Sequence, residues 1–123
     1  MNYAFARDQY KKSTNAALSE LSDPHEMISL TLKELSRSLR ALQYDRLSED
    51  QRRRHQSKAF TAVYILQTSL DFDNGLEIAS NLFKIYEYVR VQLKKSLRKD
   101  ASASLEVSGD IINEIIDAWC NIN

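Results

Sequence analysis

The chain has 123 residues, 17 Lys and Arg balanced by 17 Asp and Glu, and 43% hydrophobic residues; that suits one domain with its own core and is too apolar for a disordered segment. Two Gly and one Pro fall far below the roughly fifteen that average usage would supply, so the many tight turns of an all-β or α/β fold are excluded and the chain reads as all-α. Zero net charge argues against a nucleic-acid binder, the lone Cys120 permits no internal disulfide, and no apolar run reaches the ~20 residues that span a bilayer.

Residues 1–21 contain Tyr3, Phe5 and Tyr10 among Arg7, Asp8, Lys11 and Lys12. They show little periodicity and no apolar stretch of a secretory signal. The expectation is a short N-terminal helix or mobile arm on a cytoplasmic protein, followed by a bundle over residues 24–122.

Asp23 and Pro24 mark the first strong boundary. Asp23 can cap a helix whose first residue is Pro24, and Glu26 at the third position completes a capping-box pattern. Ile28, Leu32, Leu35, Leu39 and Leu42 repeat at spacings of four and three, the seam of a packed helix that should end near Tyr44.

Ser48, with Gln51 three residues on, is the next cap. Ala59, Val63, Leu66 and Leu70 form the second stripe, widened by Phe60, Tyr64 and Ile65. An apolar face this broad predicts a central position or an additional burial surface.

Asp71 to Gly75 reads as a break, with Asp73, Asn74 and Gly75 as turn residues. Ile78, Leu82, Ile85, Val89 and Leu93 then predict a third stripe, flanked by Ala79, Phe83 and Tyr86. Lys94, Lys95, Arg98 and Lys99 suit the negative end of that helix. A last helix begins near Ala103 and turns Leu105, Ile112, Ile115 or Ile116, Trp119 and Ile122 inward; Gly109 within it costs about 1 kcal/mol relative to Ala. Four helices of about 30 Å with short links predict an antiparallel up-down four-helix bundle, a single domain.

Chemistry finds little foothold. His25 and His55 belong to no Glu-x-x-His pair. Cys120 has no histidine in sequence neighbourhood. The Asp71–Asp73–Gly75 fragment departs from a calcium loop, with Gly at position 5 and Leu82 at position 12. No phosphate loop, nucleophile elbow or HExxH motif is present, so no catalytic residue, metal or cofactor is expected. Arg52, Arg53, Arg54 and Lys58 are the densest basic patch, read as a solvated helix face. Residues 84–99 carry six cations and one anion, whereas residues 100–123 carry five acids and no Lys or Arg; neighbouring antiparallel helices of opposite charge should attract.

The stretch Ile65 to Tyr88, with Ser69-Leu70-Asp71-Phe72, Gly75, Glu77-Ile78-Ala79, Asn81-Leu82 and Tyr86, resembles the signature of the flagellin export chaperone family, FliS. Tyr10, Asp23-Pro24 with Ile28 and Leu32, and the C-terminal Trp119 fall in register with that family. A second turn glycine is replaced here by Leu76, and a Leu-Tyr-Asp run by Leu32-Lys33-Glu34. The resemblance implies a non-enzymatic cytoplasmic chaperone that binds the C-terminal helical segment of flagellin, prevents premature polymerisation and delivers it to the flagellar type III export gate. It leaves room for a second partner, an export-gate component or an anti-sigma factor, and implies a monomer or weak dimer. Tyr3, Tyr10, Met27, Ile28, Tyr64, Leu70, Phe83 and Tyr86 are the expected partner-binding residues; Pro24, Asp71, Gly75 and Trp119 are the expected turn and structural ones. Tyr3, Phe5 and Tyr10 could cover an apolar groove until the client displaces them. The alternative, from another class, is a helical adaptor or homo-oligomeric bundle that binds a regulatory protein.

Overall fold

The computed structural model describes residues 23–121. The predicted arm over residues 1–21, with Tyr3 and Tyr10, and Ile122 lie outside that range. Within it the chain forms four helices and no strand: α1 (Pro24–Ala41), α2 (Glu49–Thr68), α3 (Phe72–Leu97) and α4 (Leu105–Cys120). Each packs on its neighbours in sequence, and α4 closes the ring on α1. Cross-helix bonds fix the directions. Early α1 meets late α4 at His25–Trp119, and mid-α1 meets mid-α4 at Ser36–Asn113. The start of α2 meets the end of α1 at Arg52–Tyr44, and further along α2 Lys58 pairs with Glu34, further back on α1. Successive helices are therefore antiparallel, as the short links require.

The predicted helix starts stand where the residues suggest, with a capping box at Ser48 but a simpler cap at Asp23. Asp23 accepts a hydrogen bond from the His25 N–H with Pro24 at the first helical position; the bond goes to His25 rather than to Glu26. At α2, Ser48 Oγ accepts from Gln51 N–H at 3.1 Å and Gln51 Oε1 accepts from Ser48 N–H at 3.0 Å, a complete capping box. The end of α1 is closed from a distance: the Arg52 guanidinium donates to the carbonyls of Leu42 and Tyr44 at 3.3 and 2.9 Å. A cation there also suits the negative helix end.

Around the α2–α3 link the structure departs from the sequence reading. Residues 72–75 form not a loop but the first turn of α3, capped by Asp71, and the backbone then breaks helical geometry at Leu76 (φ 46°, ψ −122°) before continuing. At its far end α3 closes through Lys99 (φ 60°), with Lys99 N–H donating to Ser96 O and Asp100 N–H to Lys95 O. This is a Schellman closure with lysine where glycine is usual.

The core is formed by Leu32, Leu35 and Leu39 of α1, Ala59, Val63 and Leu66 of α2, Tyr86, Val89 and Leu93 of α3, and Leu105 and Ile112 of α4. Ile115, Ile116 and Trp119 pack against it half-buried. The predicted α3 stripe is out of phase at its start. Ile78 is 71% exposed, and Ala79 and Tyr86 take the buried positions. Residues 78/79, 82/83 and 85/86 are apolar in pairs, so periodicity allowed either phase, and the turn fixed by Asp71 and Leu76 selects one. Burial pushes the Tyr86 phenol up to about 12, which keeps it neutral at any working pH.

The expected attraction between α3 and α4 takes no form as an ion pair among the described residues. Of four pairs, three join residues three apart on one helix, and the fourth, Glu34–Lys58, joins α1 to α2.

Candidate partner-binding groove

Two helices laid side by side leave a furrow wherever the facing side chains are too short or too splayed to fill it. Between α1 and α2 such a furrow encloses about 600 Å³. Its α1 wall is Met27, Leu30, Thr31, Lys33, Glu34 and Arg37, at helical spacing beside the core stripe. Its α2 wall is Arg54, Ser57, Lys58, Thr61, Ala62 and Ile65. Because the helices run oppositely, Met27, Leu30 and Thr31 lie level with Thr61, Ala62 and Ile65. Lys33, Glu34 and Arg37 lie level with Arg54, Ser57 and Lys58. One half of the groove is therefore apolar and the other charged.

Met27 and Ala62 are almost fully buried and form the floor, while Leu30 is 40% exposed on the rim. Thr31 is held by its hydroxyl, which donates to Met27 O at 2.9 Å. Glu34 binds two cations at once, Arg37 at 2.8 Å and Lys58 at 3.5 Å.

Of the residues expected to meet a partner, only Met27 lines this groove. Ile28 and Leu70 pack half-buried against the core. Tyr86 is inside it. Phe83 is half-buried with its ring centroid 6.0 Å from that of Phe72. Tyr64 projects from α2 into solvent at 68% exposure. Tyr3 and Tyr10 lie outside the described residues.

The four turn and structural residues are placed as follows. Pro24 opens α1. Asp71 Oδ1 accepts from the backbone N–H groups of Asp73 and Asn74 at 3.1 and 3.0 Å, and Oδ2 accepts from Asn74 Nδ2 at 2.7 Å. The Asn74 side chain is the leading reason the Asp71 carboxyl sits below its ordinary range. Gly75 packs so closely on the next turn that a Cβ there would stand 2.9 Å from Ala79 Cβ. Trp119 Nε1 donates to His25 O at 2.9 Å while its ring stacks on the imidazole.

Lys33, Arg37, Ser57 and Thr61 were not singled out by sequence. They are polar and lie beside the stripe, where periodicity assigns them to solvent. The signal present was the pairing of Met27 with Leu30, off the main seam, opposite the broad apolar face of α2.

Among the described residues no cluster of His, Cys, Asp or Glu could hold a metal ion, and no helix is long and apolar enough to cross a membrane. A ring of antiparallel helices with a half-apolar furrow and exposed apolar side chains defines an all-helical bundle with an open surface groove. The sequence pattern of the family described as flagellar protein FliS matches residues 6–123, and the chain belongs to that family. A 59-residue stretch, 47% of this chain, is 42% identical to the flagellar secretion chaperone FliS of Salmonella typhimurium and covers 43% of that protein; the chain thus matches less than half the length of this relative. No solved structure matches the chain.

Proposed function

We propose that this protein is a cytoplasmic, non-enzymatic chaperone for flagellin. It binds the C-terminal helical segment, keeps it from polymerising and presents it to the flagellar type III export apparatus. Family membership over residues 6–123 supports the flagellar setting. The observation that carries the binding role is the α1–α2 groove, with a floor of Met27 and Ala62. A flagellin tail that packs only in the filament exposes apolar stripes beforehand, and such a stripe is well sheltered in a groove between helices. Ordering an unfolded segment costs free energy, so a useful complex needs more surface than one groove. Tyr64, Leu76 and Ile78, all roughly 70% exposed, offer further apolar contact.

The test is to mix the purified chain with flagellin that retains or lacks its last ~40 residues, about 60 Å of helix, and measure mass in solution. A 1:1 complex is expected only with the intact tail. Equal behaviour of the two flagellins would refute the reading, and a mass that grows with the chain's own concentration would favour a self-assembling bundle.

A further inference from the structure

We propose that the α1–α2 groove selects its occupant by charge as well as by greasiness: it takes a client's amphipathic helix that is apolar at one end and acidic at the other. This deepens the chaperone reading and rests on it.

The groove's charged half holds four cations, Lys33, Arg37, Arg54 and Lys58, and one acid, Glu34. Glu34 occupies Arg37 and Lys58. Lys33 and Arg54 take part in no ion pair among the described residues, and both are exposed. A formal surplus of three positive charges thus stands at one end of a furrow whose other end is apolar. From Met27 to Arg37 the groove runs ten residues along α1, about 15 Å or three helical turns. An occupying helix of that length would lay its apolar stripe over Met27, Leu30 and Ile65 and bring its last turn to the cations. A tail with lysines there would meet like charge, which rejects wrong partners more effectively than it strengthens right ones.

The chain's own segments fit poorly. Residues 1–22 carry Arg7, Lys11 and Lys12 against Asp8 and Glu20, a net cation. The acids of α4, Glu106, Asp110, Glu114 and Asp117, run its whole length, so a second copy's α4 offers no apolar end.

The experiment uses the full chain and two labelled helical peptides of about three to four turns. They share one leucine–alanine stripe and differ only in glutamates or lysines in the last turn. Anisotropy at low salt should show the glutamate peptide binding about tenfold tighter, and the double variant Arg54→Glu/Lys58→Glu should invert the order. If that variant loses its helical circular dichroism, Lys33→Gln/Arg54→Gln replaces it; it cuts the surplus from three positive charges to one and should weaken the preference severalfold. Equal binding, binding of neither peptide, or a preference left undiminished by the charge change overturns the proposal. So does a concentration-dependent mass that the reversal removes, which would make a second copy the occupant. A flagellin tail bound equally by the wild-type and charge-reversed chains defeats this inference and leaves the chaperone reading standing. Discrimination between the peptides with no flagellin complex does the opposite.

Discussion

His25 and Trp119 hold each other by both ends. Their rings stack with centroids 4.6 Å apart and planes within 10°. Trp119 Nε1 donates to the His25 carbonyl at 2.9 Å, and His25 Nε2 to the Trp119 carbonyl at 3.0 Å. The clasp fastens the first turn of α1 to the last of α4, at the seam where the ring closes. Trp119→Ala removes the stack and the indole donor, leaving only the backbone carbonyl that His25 Nε2 reaches, and is expected to cost about 2–3 kcal/mol, toward the low end for Trp because the side chain is half-buried. Trp119→Phe loses the indole donor and should cost about 1 kcal/mol. Thermal denaturation followed by circular dichroism reads both, and equal melting of all three chains would remove the clasp from the stability argument.

Gly75 and Leu76 should respond in opposite directions. Leu76 holds a left-handed φ of 46° while its side chain is 71% exposed, so glycine there relieves about 1–3 kcal/mol of strain. The extra freedom of the unfolded glycine takes back up to about 1 kcal/mol. Leu76→Gly should therefore raise the urea midpoint by the equivalent of about 1 kcal/mol. Gly75→Ala places a Cβ 2.9 Å from Ala79 Cβ and should lower it by about 1–3 kcal/mol.

Gly109 lies buried inside α4, yet a Cβ would find only Gln43 Nε2 at 3.9 Å, an ordinary contact. The helix gains and nothing must move. Gly109→Ala should stabilise by about 0.5–1 kcal/mol, measured by the same denaturant titration. A loss would mean that α4 sits closer to its neighbours than these distances state.

Glu87 links α3 to α2. It accepts bonds from Arg90 at 2.6 and 2.9 Å and from Gln67 at 3.1 Å. Arg90 first, then Gln67, holds its carboxyl down from the ordinary 4.5 to about 2. A folded pKa below the unfolded one means the stabilisation is complete above about pH 4.5 and fades as pH falls toward 2. The site is more than a third exposed, and solvent screening keeps the contribution below about 1 kcal/mol. Glu87→Gln should lower stability at neutral pH and merge with the wild type near pH 2. A difference that stays constant from pH 7 to 2 would contradict this assignment.

What the sequence made legible is what is local. Asp23 before Pro24, and Ser48 before Gln51, are side-chain-to-backbone geometries three residues long, and both helix starts appear where those residues stand. The stripes of α1 and α2 rest on strict spacing and are buried accordingly, except at their outer ends, Ile28 and Leu70, which are half-buried. The phase of α3 was ambiguous because apolar residues come in adjacent pairs, and a left-handed φ at a leucine is not something composition announces. The groove was the least legible. Its walls come from two helices, its floor includes an alanine too small to attract notice, and half its lining is charge that one helix alone would give to water. Arg52 belonged to the same basic patch, yet it closes the end of α1. A run of arginines can thus hold members with different tasks.

The clasp has an optical consequence. Trp119 is the sole tryptophan in the chain, and its indole lies against an imidazole, a ring that dims tryptophan emission on contact. The colour and brightness of its emission therefore gauge, without any attached dye, whether the first and last helices are together, and a cargo that pries that seam apart would announce itself by a change in both.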